Sequence, residues 1–161
     1  MSEVKTKAVS AERALTQKWG ATLMRAGFTA LPDVIFKYQK ALNLKSLDVL
    51  IILHLSSFWW SASDLPWPSK AKLAEGLDVD PSTVRRSIKR LEELGYIKRI
   101  YRKAEVGDNQ SNKYDLRGLV AAAEKYAKEE INRRGARAAE DRARKTTPRA
   151  FKLLTGGKTG K

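Results

Sequence analysis

The stretch Ser69-Lys70-Ala71-Lys72-Leu73-Ala74-Glu75-Gly76-Leu77-Asp78-Val79-Asp80-Pro81-Ser82-Thr83-Val84-Arg85-Arg86, running on through Ile88 and Leu91 to Leu94-Gly95, decides how this chain of 161 residues is read. Ser69 is a helix-capping residue type ahead of a short helix whose apolar positions Leu73, Ala74 and Leu77 share one face. Asp78-Val79-Asp80 then makes a turn. Asp80 caps a second helix, Pro81 takes the first position, where no backbone N–H is needed, and Gly95 ends it. The spacing predicts two helices joined by a tight turn.

On the second helix Val84, Ile88 and Leu91 follow i, i+4, i+7 and define the buried face. Ser82, Arg86, Lys89 and Glu93 point the opposite way, with Thr83, Arg85 and Arg90 on the flanks. The first three turns thus expose four basic residues and two hydroxyls, and the acids Glu92 and Glu93 come only at the end. Such a face suits the major groove, which is about 12 Å wide: hydroxyls hold phosphates and Arg forks onto guanine O6 and N7. For an isolated helix, a solvated basic face would be an equally good reading.

The next segments bear on that choice. Tyr96-Ile97-Lys98-Arg99-Ile100-Tyr101-Arg102-Lys103 has strand character, residues 105–110 read as a hairpin loop, and Asn112-Lys113-Tyr114-Asp115-Leu116 alternates as a return strand. The run Leu73-Ala74, Gly76 to Arg86, Leu91-Glu92-Glu93-Leu94-Gly95-Tyr96-Ile97 and then Ser111 to Leu116 resembles the winged helix-turn-helix domains of bacterial regulators and of plasmid or phage replication proteins. The resemblance spans about residues 28–118. It implies a mostly α fold with a small β-hairpin wing, carrying here an N-terminal arm helix and a long C-terminal helix. It also implies recognition-helix positions for Ser82, Thr83, Arg85, Arg86, Lys89 and Arg90, phosphate positions for Ser69, Lys70 and Lys72, and wing positions for Arg102, Lys103, Asn109, Gln110 and Lys113. Glu105 and Asp108 depart from the pattern, because they make the wing tip less basic than a minor-groove probe requires. Some winged helices use this surface for protein contacts instead.

Outward toward the N-terminus, Ser10-Ala11-Glu12-Arg13-Ala14-Leu15 opens like a capped helix, and Leu15, Trp19 and Leu23 make one stripe before Gly27, so residues 1–27 read as an arm helix. Residues 28–31 are short and extended, and Pro32-Asp33 starts a helix with Val34, Ile35, Tyr38 and Leu42 at helical spacing. Ser46 is the expected cap of a helix from Leu47 to about Trp60, apolar nearly all round and therefore central. His54 within it reads as a packed core residue, since no second His or Cys accompanies it. Ser61 to Pro68 is a loop, and Trp59, Trp60 and Trp67 are expected to anchor core and loop.

Toward the C-terminus, Leu119, Ala123, Tyr126, Ala127 and Ile131 form an apolar stripe on a helix spanning 119–145. The stripe is too narrow to be stable unpacked, so it either packs on the arm helix or pairs with the same helix of a second copy. Pairing is favoured, because closed two-fold dimers go with symmetric operators. Residues 133–161 carry ten Lys/Arg against two Asp/Glu, more than half of the net charge of +14. Arg133, Arg134, Arg137, Arg142, Arg144 and Lys145 open this basic segment, and residues 146–161 are expected to be a disordered tail that attracts phosphates, docks a protein partner or simply solubilises the chain. Gly157-Lys158-Thr159 is not a phosphate-binding loop, because Lys152 stands where the earlier glycine belongs.

The chain has no cysteine and a single histidine, which removes disulfide frameworks, zinc fingers and thiol chemistry, excludes a multi-histidine metal site and ties any Ser-His-Asp triad to His54. Paired carboxylates in an apolar setting are also missing, so no enzyme, no catalytic residue, no metal and no cofactor is expected. The N-terminus lacks a signal-peptide apolar region and the most apolar run is too short to span a bilayer, so a cytoplasmic, nucleoid-associated protein without membrane partners is expected. The expected function is sequence-specific binding of double-stranded DNA by a homodimeric, repressor-like transcriptional regulator of a bacterium or mobile element. The alternatives are a plasmid or phage replication or partition factor that binds origin repeats, and a winged helix that binds protein only.

Overall fold

The computed structural model describes residues 12–101 and 111–146. Its elements are α1 (12–19), α2 (Ala21–Ala26), α3 (Asp33–Lys37), α4 (Ser46–Ser56), α5 (Lys70–Leu77), α6 (Pro81–Glu93), β1 (Lys98–Ile100), β2 (Lys113–Asp115) and α7 (Arg117–Thr146). Two compact units divide the chain, one running to Glu124 and the other from Lys125.

The core of the first unit is a three-helix cluster. Ile51, Ile52 and Leu55 of α4, Leu73 and Ala74 of α5, and Val84, Ile88 and Leu91 of α6 are all buried, and the three helices pack pairwise. The buried face of α6 is the one its i, i+4, i+7 spacing defines. The two strands pair antiparallel, with Arg99 opposite Tyr114, and Tyr114 N–H also donates to the Pro66 carbonyl at 2.8 Å, which fastens the strands to the loop ahead of α5. Ile97, Tyr114 and Leu116 close the core on this side.

Several boundaries differ from expectation. The arm is two short helices rather than one, because Gly20 adopts φ 84, ψ 152 between them. Leu15, Trp19 and Leu23 therefore do not share one continuous helix. The helix begun at Asp33 ends at Lys37, and the i→i+3 bonds Gln39 N to Phe36 O and Asn43 N to Lys40 O replace it with turns. Leu42 is buried all the same. The central helix starts at Ser46, not after it, and it stops at Ser56 rather than Trp60. The Ser56 and Ser57 hydroxyls donate back to the carbonyls of Ile52 and His54, each at 2.8 Å, competing with continuation of the helix. The strands are also shorter than the runs 96–103 and 112–116.

The C-terminal helix brings a further correction. Leu119 and Ala123 are buried within the first unit, at 2% and 5% exposure, and Leu119 N–H donates to the Tyr96 carbonyl at 3.0 Å. These two residues complete the protomer core, so the stripe is not one seam free for a partner. Gly118 shows how closely this end of α7 approaches the turn after α6: a Cβ there would lie 1.9 Å from the Gly95 carbonyl oxygen. Only hydrogen fits. Past residue 124, Ile131 is exposed.

Candidate nucleic-acid interface

The expected interface is built on α5, the turn and α6. Ser69 caps α5 by accepting from the Lys72 N–H at 3.1 Å, which leaves Lys72 exposed beside it with its ammonium 5.1 Å from the centre of the Phe58 ring. Lys70 is half-buried. Asp78 takes a left-handed conformation at φ 52, tolerable for Asp, and the Val79 N–H returns to the Ala74 carbonyl at 3.0 Å, so the chain reverses within three residues. Asp80 Oδ1 accepts from the Ser82 N–H at 2.7 Å at the start of α6, and Ser82, through its side chain and its backbone, holds the Asp80 carboxyl below the usual carboxylate range. The carboxylate therefore caps α6 in its charged form, which the positive end of a helix favours.

Ser82, Arg85, Arg86 and Lys89 are exposed along α6, and Thr83 is half-buried at one flank, its hydroxyl accepting from Arg86 Nη2 at 3.2 Å. Lys89 lies 3.7 Å from Glu93, an exposed pair of little energetic weight. Arg90 is placed differently from the other cations. Its guanidinium is paired with the buried carboxylate of Asp48 on α4 and bonds both the carbonyl and the side-chain oxygen of Asn43. It holds α6 against the segment before α4, and its donors are not presented to a base edge.

Asp48 is the residue that sequence reasoning missed. Its carboxylate, 1% exposed, accepts from Ser87 Oγ, from Arg90 and, at 2.8 Å, from the Lys45 N–H. The available signal was its place: the only acid in a largely apolar helix, three residues after Lys45, where a side chain reaches back to the helix start. Ser87, on the buried side of α6, went unassigned for the same reason.

The opposite flank of α6 is tied to the hairpin. Arg99 of β1 bonds Glu92 through Nε at 3.2 Å and Nη2 at 2.7 Å, with both side chains largely buried, and also stacks 5.2 Å from the Tyr101 ring centre. Lys113 at the foot of the wing is half-buried. Arg102, Lys103, Asn109 and Gln110 lie outside the described residues. Asp115, just beyond, accepts from Arg117 N at 3.0 Å and from Arg117 Nε at 2.8 Å, which lowers its carboxyl below the usual range.

On α7, Arg133, Arg134, Arg137, Arg142, Arg144 and Lys145 are exposed on a regular helix. Arg133 and Arg134 bond Glu130, and Arg144 bonds Glu140 at 2.6 Å. Tyr126 and Ala127 are half-buried. Among the described residues no group of three or more metal-binding side chains occurs, and no helix is long and apolar enough to cross a membrane.

A cluster of α4, α5 and α6, with a tight turn before the exposed basic helix and an antiparallel hairpin after it, is a winged helix-turn-helix. Residues 42–97, from Leu42 through the end of α6 to Ile97, match the family model described as a helix-turn-helix domain. No curated protein sequence matches the chain. Among solved structures, the N-terminal domain of DnaD protein from Geobacillus kaustophilus HTA426 shares 23% identity at a TM-score of 0.51, covering 74% of this chain and 96% of that one. It shows the same fold. A possible transcriptional regulator from Methanosarcina mazei Go1 (26% identity, TM-score 0.41, covering 67% of this chain and 85% of that one) and MarR (22%, 0.37, 69% and 88%) are more distantly similar.

Proposed function

We propose that this protein binds double-stranded DNA sequence-specifically and regulates transcription, with α6 in the major groove. The observation that carries the reading is the exposed face of α6, where Ser82, Arg85, Arg86 and Lys89 stand together on a helix held by three buried apolar side chains and an N-cap. Arg86, and next Arg85, read base edges in this account. Ser69, Lys70 and Lys72 hold phosphates, and the wing and the basic stretch of α7 add further backbone contacts. Arg90 is a scaffold residue. The protein acts as a dimer through the part of α7 beyond Glu124, where Tyr126, Ala127 and Ile131 remain of the apolar stripe once Leu119 and Ala123 are buried in the protomer.

Recovery of bound fragments from genomic DNA tests the reading, followed by binding of Arg86→Ala to the recovered site. That substitution is expected to cost about 1–3 kcal/mol on the specific site and much less on random DNA. Equal losses on both would make Arg86 a phosphate contact, and recovery of no enriched fragment would favour a protein-binding winged helix. Light scattering that gave the monomer mass of 18.1 kDa both free and on DNA would remove the dimer.

A further inference from the structure

Between the start of α4 and the flank of α6 beside it lies an open concavity of about 220 Å3, whose lining includes Lys45, Asp48, Thr83, Arg86, Ser87 and Arg90. Its charges fall into two layers. At the floor, Asp48 is satisfied by Ser87, Arg90 and the Lys45 N–H, so the buried carboxylate and guanidinium neutralise each other. At the rim stand the exposed side chains of Lys45 and Arg86 and the hydroxyl of Thr83, which accepts from Arg86 and keeps its own hydrogen to donate. The rim therefore offers two cations and a donor hydroxyl, with no acid among the lining side chains except the neutralised Asp48. An anion is the ligand such a rim recognises.

A helix lying in the major groove has a phosphate strand on each side. One flank of α6 is occupied by the Glu92–Arg99 pair leading to the wing, and the other opens into this concavity. We propose that the concavity seats a DNA backbone phosphate, with Lys45 as its cation and the Thr83 hydroxyl as its neutral donor, beside the base edge read by Arg86. The inference rests on the DNA-reading role of α6 and extends that interface to the residue before α4. A phosphate contact carries no base information, so Lys45 sets affinity and salt dependence and leaves sequence preference alone.

Lys45→Ala keeps the backbone N–H that Asp48 accepts, so the fold does not depend on the side chain being replaced. Full-length Lys45→Ala and wild type are titrated with the recovered site and with random duplex over a range of sodium chloride. The expected result is a slope of log K against log salt that is shallower by about 0.9, and a loss at 0.1 M salt of roughly five- to tenfold that is equal on the two DNAs. Lys45→Arg restores most of both. An unchanged slope with wild-type affinity overturns the phosphate seat while leaving the reading of α6 intact. A loss confined to the specific site overturns it too, because Lys45 would then be touching a base. Wild-type protein without salt-dependent DNA binding would instead overturn the proposed function itself.

Discussion

Replacing Asp48 by Ala removes the ionic link between α6 and α4. Three donors lose their acceptor at once: the largely buried Ser87 hydroxyl, the Lys45 N–H and the Arg90 guanidinium. Removing one partner of a buried pair costs about 3–5 kcal/mol, because the other charge is left uncompensated. Arg90 keeps its bonds to Asn43 and its side chain is 23% exposed, so solvent takes up part of that charge and the low end, about 3 kcal/mol, is expected. For a domain of this size that corresponds to a fall in Tm of about 10 °C. Urea titration at neutral pH followed by circular dichroism reads the value. The double variant Asp48→Leu, Arg90→Met should regain much of it, since apolar groups of similar size often substitute for a buried pair without net loss. Arg90→Met alone should lose stability while its ratio of specific to random DNA affinity stays at the wild-type level. A loss below about 1 kcal/mol for Asp48→Ala, or an Arg90→Met protein of normal stability with relaxed sequence preference, would refute the reasoning and return Arg90 to the reading face.

Gly118→Ala places a methyl group against the Gly95 carbonyl, so backbone must shift, and a loss of about 3 kcal/mol, the upper end of ordinary overpacking, is expected in the same titration. Gly135→Ala, with nothing within 4 Å on an exposed helix, should instead raise helicity, and the contrast separates crowding from propensity. Asp80 has its carboxyl held low in the folded state, so its contribution is present above the ordinary carboxylate pKa and is lost as the pH falls through the folded value. Asp80→Ala should lower Tm at pH 7, with the gap to wild type closing below about pH 4, whereas Asp80→Asn should keep much of the cap; a gap that did not narrow with acid would refute the charged cap. Deleting residues 133–161 removes ten cations, and it should weaken specific and random DNA binding by similar factors and flatten the salt slope while the preferred sequence survives; an unchanged slope would assign that segment to a protein partner.

The features legible in the sequence are those governed by near neighbours along the chain. Ser69, Asp80 and Pro81 mark helix starts because a cap bonds an N–H only two or three residues on, and both caps stand in the structure as the residue types demand. The spacing of Val84, Ile88 and Leu91 determines which side of α6 is buried, because the periodicity of a helix leaves one face for three such residues. The exposed placement of Ser82, Arg86 and Lys89 follows from the same rotation. Arg90 shows where that logic stops. On the flank of a helix a guanidinium is equally compatible with water, a base or a carboxylate, and what decides is Asp48, brought alongside from 42 positions earlier in the chain. Ser87 is claimed by the same carboxylate. Leu119 and Ala123 likewise read as part of an open stripe until the approach of α7 to the turn at Gly95, made possible by the missing side chain of Gly118, buries them in the protomer. In each case the residue type limits what the side chain can do, and only the packing of segments distant along the chain selects which of those things it does.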